Sequence, residues 1–137
     1  MKKIFSKLLF IFFFLLSFQV RAEPLNIPES EIQGAAQPIL DNLLDGLKDG
    51  DYQKYSKDFD GTLKEALPET KFKQTRQGIF DTLGKFQSQI YLGSFNQNQQ
   101  TIVLWKGKFS RNADDVLIKL VLSKREGQVF VVGLWFQ

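Results

Sequence analysis

The first half of the chain, beyond residue 22, repeats apolar residues at helical spacing. The first run begins at Ser30, a residue type favoured at helix N-caps, and ends at Gly50. Pro38 lies inside the run and removes one backbone donor. The pattern therefore predicts a helix that either kinks at Pro38 or effectively begins near it.

Two further helical stretches follow the first. Asp51 can cap a second stretch, which continues past Gly61 to Pro68. A third helix is predicted over 69–83, with Gly84 at its C-cap. The expected buried stripe of this third helix consists of Phe72, Ile79, Phe80 and Leu83.

The second half of the chain changes to a pattern typical of strands. Segments rich in β-branched and aromatic residues predict strands over 86–95, 101–110, 116–123 and 129–136. The connections between them are short and polar, which favours an antiparallel meander. Helices followed by hairpins indicate an α+β domain, with about three N-terminal helices packed on one face of a curved four-stranded antiparallel sheet.

Both faces of the predicted sheet carry apolar side chains. In the second strand Val103, Trp105 and Phe109 share one face, while Ile102 and Leu104 lie on the other. In the fourth strand, alternation places Phe130, Val132, Leu134 and Phe136 opposite Val129, Val131 and Trp135. A sheet that is apolar on both sides usually hides its second face in a partner, so we expect a homodimer through the sheet face. The alternative is a curved sheet that wraps over the first helix.

The N-terminus has the three parts of a secretory signal peptide. Three lysines within the first seven residues precede an apolar run over 8–18, and Val20 and Ala22 supply the small residues that signal peptidase requires. The run of about 11 residues is shorter than the roughly 20 of a spanning helix. We therefore expect cleavage after Ala22, a single periplasmic or secreted domain over 23–137, and no stable membrane anchor after cleavage.

Charge and composition exclude several classes of function. From residue 23 onward the chain has 14 Lys and Arg against 15 Asp and Glu, so a net charge of −1 gives no basis for a nucleic-acid partner. The absence of cysteine and histidine excludes disulfides, histidine-dependent triads and nearly all transition-metal sites. We expect no cofactor and no metal, and any catalysis would rely on carboxylate, tyrosine, lysine or hydroxyl groups.

Several local strings resemble a known family. The run over 44–52, Phe59, the junction over 83–86 and the end over 133–136 look like the bacterial proteins grouped as domain of unknown function 3887. That family is similar to the nuclear transport factor two-like (cystatin-like) cone fold. The resemblance implies a curved sheet around helices with a conical cavity, in a superfamily of isomerases, dimeric scaffolds and ligand binders. It carries over no catalytic residues, and fold analogy does not decide function.

One string spells the first motif of haloacid dehalogenase-type phosphatases, with Asp58 and Asp60 as its two carboxylates. That motif belongs at the end of a buried parallel strand in a doubly wound sheet, but a polar segment precedes it and the chain is too short for such a sheet. We therefore interpret the string as a break between helices at Gly61.

Two groups of acidic residues have simpler roles than metal binding or catalysis. Asp45, Asp49 and Asp51 lack the spacing of a calcium loop and fit a helix end followed by a cap. Asp114 and Asp115 are adjacent, so they would point to opposite sides of a strand. We interpret this pair as part of a solvated hairpin turn.

The favoured function is a non-enzymatic ligand-binding or protein-assembly module of the cell envelope. Large aromatics give contact area at small entropic cost, so the candidate contacts with a partner or a small apolar ligand are Trp105, Trp135, Tyr91 and Tyr55. Core packing is the alternative role of these side chains. The alternative function is a small metal-independent cavity enzyme of isomerase or hydrolase type, with Tyr52, Tyr55, Tyr91 and Asp81 as possible contributors.

Overall fold

Four helices precede four strands along the chain. The computed structural model describes residues 21–137. The predicted signal peptide, residues 1–22, lies outside this range except for its last two residues. The helices are α1 (Glu29–Asp49), α2 (Tyr52–Tyr55), α3 (Gly61–Ala66) and α4 (Glu69–Leu83), and the strands are β1 (Phe86–Gln97), β2 (Gln100–Phe109), β3 (Asn112–Arg125) and β4 (Gln128–Phe136). The strands form one open antiparallel sheet in the order β1-β2-β3-β4, which confirms the α+β class and the meander.

Helix α1 runs without interruption through Pro38. The proline is exposed, so its ring and the unpaired carbonyl one turn before it face solvent rather than the core. The helix begins at Glu29, after Pro28, which caps it without a side-chain hydrogen bond. The predicted N-cap at Ser30 is therefore wrong, because Ser30 already lies within the first turn. No helix within residues 21–137 is long and apolar enough to cross a membrane.

The second predicted helical stretch consists of two short helices, so the described chain has four helices rather than three. The first of these two helices, α2, ends at Tyr55, and Phe59 then pairs as a parallel bridge with Val131 of β4. Asp60 then begins a new helix, because its side chain accepts a hydrogen bond from the backbone N–H of Leu63 at 2.7 Å. Long-range pairing with the sheet therefore overrides the local helical pattern.

Strands β1, β3 and β4 are longer than the sequence predicts because their connections are tighter. Asn98 and Gln99 connect β1 to β2 with φ values of 53° and 60°. Glu126 and Gly127 connect β3 to β4 with φ values of 51° and 78°. Two successive residues with positive φ form a turn whose twist matches that of the flanking strands. The polar residues beside each turn therefore continue the ladders.

A bulge in β4 changes which of its residues face the helices. Val121 pairs with Gly133 and Leu122 pairs with Val131, so Val132 is an extra residue without a partner. As a result the side chains of β4 that pack against the core are Val129, Val131, Leu134 and Phe136. Strict alternation, which placed Val129 and Val131 opposite Leu134 and Phe136, is therefore wrong. In β2 the prediction that Val103, Trp105 and Phe109 share one face is confirmed, and this face points to the core.

The core lies between α1 and the inner face of the sheet. Its largest fully buried side chains are Trp105, Leu40, Leu43, Ile118, Leu120 and Leu122. Each such burial stabilises the fold by roughly 1.5–3 kcal/mol before the entropy of ordering is subtracted. These positions fix α1 across the middle of the sheet. Helix α4 lies at one end of this layer, next to a cavity.

Candidate ligand-binding site

A cavity of about 800 Å³ lies between α1, α4 and one end of the sheet. Its apolar wall consists of Leu44, Leu47, Ile79, Phe80, Phe86, Phe109 and Phe136. Charged side chains from α1, α4 and the junction with β1 lie among the remaining lining residues. The cavity is partly open to solvent at the side formed by α4.

Helix α1 contributes one continuous strip to this cavity. Asp41, Leu44, Asp45 and Lys48 are spaced by three or four residues, so they follow one face of the helix. Leu44 is nearly buried, whereas the three charged residues are exposed. The strip therefore presents an apolar floor with charges of both signs along its edge.

Helix α4 is attached to the end of α1 through Arg76. The Arg76 guanidinium donates to the backbone carbonyl of Leu47 through Nε and to that of Lys48 through Nη2, the latter at 2.8 Å. Both carbonyls belong to the last turn of α1, where helical partners are missing. Phe72 packs its ring 4.9 Å from that of Tyr55. The second part of α4 lines the cavity with Ile79 and Phe80, and the exposed ring of Phe80 borders unfilled space.

The C-terminal end of α4 contacts the turn between β2 and β3. Gly84 has a φ of 81°, and a Cβ there would lie 2.3 Å from Ser110 Oγ. The backbone N–H of Arg111 donates to the carbonyl of Leu83 at 2.9 Å, and its guanidinium lies 5.0 Å from the centre of the Phe80 ring. The predicted C-cap at Gly84 is confirmed, and it sets the far wall of the cavity.

Phenylalanine rings form the wall on the sheet side. Phe109 packs edge to face with Phe86 and with Phe136, each at a centroid distance of 5.6 Å. Phe80 and Phe86 are each 38% exposed, so both are accessible through the open side. The prediction that Phe80 belongs to a buried stripe is wrong, because the space beside it is unfilled.

One carboxylate in the cavity is held by amide groups. Asp41 Oδ1 accepts hydrogen bonds from Gln37 Nε2 at 2.8 Å and from Gln89 Nε2 at 3.1 Å. The bond from Gln37 lies within α1, and the bond from Gln89 connects α1 to β1. Gln89 Oε1 is buried without a hydrogen-bond partner. This arrangement fixes Asp41 in place and commits its oxygen to the contact between helix and sheet.

The ionisable groups with perturbed pKa values lie outside the cavity. The hydroxyls of Ser94 and Tyr91 donate to Glu29 and hold its pKa below the ordinary value. Burial, followed by the hydrogen bond to Glu29, raises the pKa of Tyr91. A hydrogen bond from Lys108 lowers the pKa of Asp115. Burial raises the pKa of Tyr55 to about 12.

The four aromatic residues predicted as contacts occupy three separate places. Trp105 is fully buried, its Nε1 donates to Gln37 Oε1 at 3.0 Å, and the half-buried Tyr91 packs edge to face against it at 5.9 Å. Tyr55 is buried where α2 meets α4. Trp135 is exposed on the sheet face away from α1. None of the four is among the residues that line the cavity.

Sequence reasoning missed the phenylalanines of the cavity as site residues. Their apolar character and spacing are those of core positions, and Phe80, Phe86, Phe109 and Phe136 were assigned to the buried stripe or to the strands. A signal in the sequence was the abundance of phenylalanine, eight residues from residue 23 onward, but it does not show where a wall remains unfilled.

The acidic motifs have structural roles in the fold. Asp60 Oδ2 accepts a hydrogen bond from Arg125 Nη2 at 3.2 Å, besides capping α3. Asp51 caps α2 by accepting from the Lys54 N–H, which confirms the interpretation as a cap. Asp114 and Asp115 lie within β3 rather than in the turn, and Asp115 pairs with Lys108 at 2.8 Å. Residues 21–137 hold no cluster of three or more acidic side chains placed to bind a metal.

Comparisons with known proteins add no relative. No protein-family model, no curated protein and no solved structure matches this chain. The resemblance to domain of unknown function 3887 therefore stays a prediction.

Proposed function

We propose that this protein is a non-catalytic binding protein of the cell envelope, which holds a small, mainly apolar ligand in the cavity between α1, α4 and the sheet. The observation that carries the proposal is an unfilled cavity of about 800 Å³ whose wall is lined by seven apolar side chains. This volume is typical of small-molecule sites. The predicted signal peptide is the basis for the cell envelope as its location.

The chemistry of the wall indicates the kind of ligand. Four phenylalanine rings offer flat apolar surface, and a ligand that covers the exposed parts of Phe80 and Phe86 would remove that surface from water. Charges of both signs line the cavity, with Asp45 and Lys48 on α1 and Lys85 at the junction with β1. This mixture of charges favours a ligand with an apolar body and little net charge.

A binding role suits this cavity better than catalysis. The cavity carboxylate of Asp41 already accepts one amide hydrogen bond within α1, from Gln37, and one from Gln89 of β1. Arg76 donates to two backbone carbonyls of α1. Both groups therefore position the walls, which is the role expected for polar residues in a preformed binding site.

We further propose that the sheet curves around the helices, as in the nuclear transport factor two-like cone. Each of the three strand pairings carries a register shift. Bulges bend strands and increase their twist, so shifts in every pairing favour a curved sheet. The cavity at the end of α1 would then be the mouth of the cone.

Binding of the neutral fluorescent probe N-phenyl-1-naphthylamine tests the proposed site. We expect the purified, exported protein to bind this probe with increased emission. Phe80→Ala removes one accessible ring of the wall and should weaken binding by about tenfold, the result of losing about 1.4 kcal/mol of apolar contact. Native mass spectrometry of the exported protein would detect a ligand retained from the host.

The matched control is Phe95→Ala. Phe95 is 47% exposed but lies on the sheet face away from α1, outside the cavity. A probe that binds in the cavity should lose affinity in Phe80→Ala and keep it in Phe95→Ala. Equal losses in the two variants, or no probe binding by the wild type, would contradict the proposal.

A further inference from the structure

The face of the sheet that points away from α1, hereafter the outer sheet face, is a second apolar surface. Six large apolar side chains are exposed in the described part of the chain, and four of them lie here: Ile90, Leu92, Phe95 and Trp135. The other two line the cavity. Leu92 is the extra residue of a bulge in β1, and it borders a shallow depression of about 270 Å³ beside Lys106 and Leu117.

Trp135 packs against Gly133 on this face. A Cβ at Gly133 would meet the indole ring at 2.0 Å, so the ring lies directly across the glycine. The ammonium group of Lys119 lies 5.3 Å from the ring centroid. Trp135 is nevertheless 46% exposed, so one side of a positioned indole remains available for contact.

The charges on the outer sheet face are mainly positive. Lys106, Lys108 and Lys119 project from its middle strands, and the acidic side chain beside them, Asp115, pairs with Lys108 at 2.8 Å. Within residues 21–137, Lys106 and Lys119 belong to no ion pair. The face is therefore positive, although the chain from residue 23 onward has 14 basic and 15 acidic residues.

We propose that the outer sheet face docks on the surface of an anionic lipid bilayer. Aromatic and aliphatic side chains enter the interfacial region, where tryptophan is favoured, and lysines reach the acidic headgroups. The sequence predicts a second copy as the occupant of this face. Two copies packed face to face would bring positive surfaces together, and juxtaposed like charges disfavour such a contact.

The number of lysines sets the expected dependence on lipid charge. Each lysine close to an anionic surface strengthens binding about fivefold. Lys106 and Lys119 together should therefore contribute about 30-fold. Salt screens this electrostatic contribution, so it should weaken as the salt concentration rises. The apolar contribution of Trp135 and its neighbours is not screened in this way.

Vesicle flotation tests the proposal on the purified, exported protein. We expect binding to vesicles that contain phosphatidylglycerol and little binding to vesicles of phosphatidylcholine alone. Trp105 is fully buried, so a change of tryptophan emission on binding reports the surroundings of Trp135 and should vanish in Trp135→Phe. The double variant Lys106→Gln, Lys119→Gln should bind about 30-fold more weakly.

The matched control is Lys71→Gln, Lys73→Gln, which removes the same charge from exposed positions of α4. This control variant has the same N-terminus as the test variant, so any contribution of that segment to lipid binding cancels. Its affinity for the vesicles should stay within about twofold of the wild type. Equal losses in both double variants would overturn the proposal. Failure of the wild-type protein to bind phosphatidylglycerol vesicles would also overturn the proposal. If that non-binding protein sediments as a dimer, the result would favour a second copy as the occupant of the outer sheet face.

Discussion

Gly46 lies where α1 passes closest to α2, and adding one methyl group there should destabilise the fold. A Cβ at this position would lie 2.7 Å from the backbone nitrogen of Tyr55 and 2.8 Å from its Cα. Real Cβ atoms do not approach backbone this closely, so α1 or α2 must shift. Gly46→Ala therefore separates the two helices at the point where Tyr55 enters the core.

The magnitude follows from two opposing effects. Alanine favours a helix interior by about 1 kcal/mol relative to glycine. Overpacking costs about 1–3 kcal/mol, and the upper end applies because the atoms that clash are backbone and cannot change rotamer. We expect Gly46→Ala to lower the free energy of unfolding by about 1–2 kcal/mol.

Gly78 provides the matched control within α4. A Cβ at Gly78 would meet nothing within 4 Å, so Gly78→Ala should gain helix propensity without a clash. It should raise the free energy of unfolding by about 1 kcal/mol. Urea unfolding followed by circular dichroism measures both variants against the wild type. Equal stability of the two alanine variants would refute the close approach of α1 to Tyr55.

Two further predictions concern ionisable groups. The hydroxyls of Ser94 and Tyr91 hold the pKa of Glu29 below 4.5, so its carboxylate stabilises the fold at higher pH. The difference in free energy of unfolding between wild type and Glu29→Gln should be complete above pH 4.5 and shrink as the pH falls through the lowered pKa of Glu29. Urea unfolding at several pH values measures this difference, and a difference that is constant with pH would contradict the prediction. Burial raises the pKa of Tyr55 from 10.0 to about 12, so the stability it contributes is complete below pH 10 and is lost as the pH rises through 12. Ultraviolet titration of tyrosinate should show a late step near pH 12 that Tyr55→Phe removes.

Local chemistry determined most of the secondary structure. The sequence predicts α4 over 69–83 and its C-cap at Gly84, and both are confirmed because apolar spacing and a glycine cap act within a few residues. The four strands and their antiparallel order also follow from short polar connections. In β2 the alternation correctly places Val103, Trp105 and Phe109 on one face, and the structure shows that this is the inner face.

Long-range contacts decided the positions where the sequence misleads. The pairing of Phe59 with Val131 divides one predicted helical stretch into two helices. The bulge at Val132 moves Val131 to the core side of β4, and no local pattern marks the extra residue. Both depend on the geometry of partners that are distant in sequence, which propensity cannot include.

The sequence by itself determined the apolar character of both sheet faces and the limits on chemistry, since composition is independent of the fold. The tertiary structure alone decided that α4 is attached through Arg76 to the end of α1, and that a cavity lies beside it. It also decided that Lys106 and Lys119 lie among exposed apolar side chains on one face. A cavity and a charged surface are both relations between elements, so they exist only once the elements are packed.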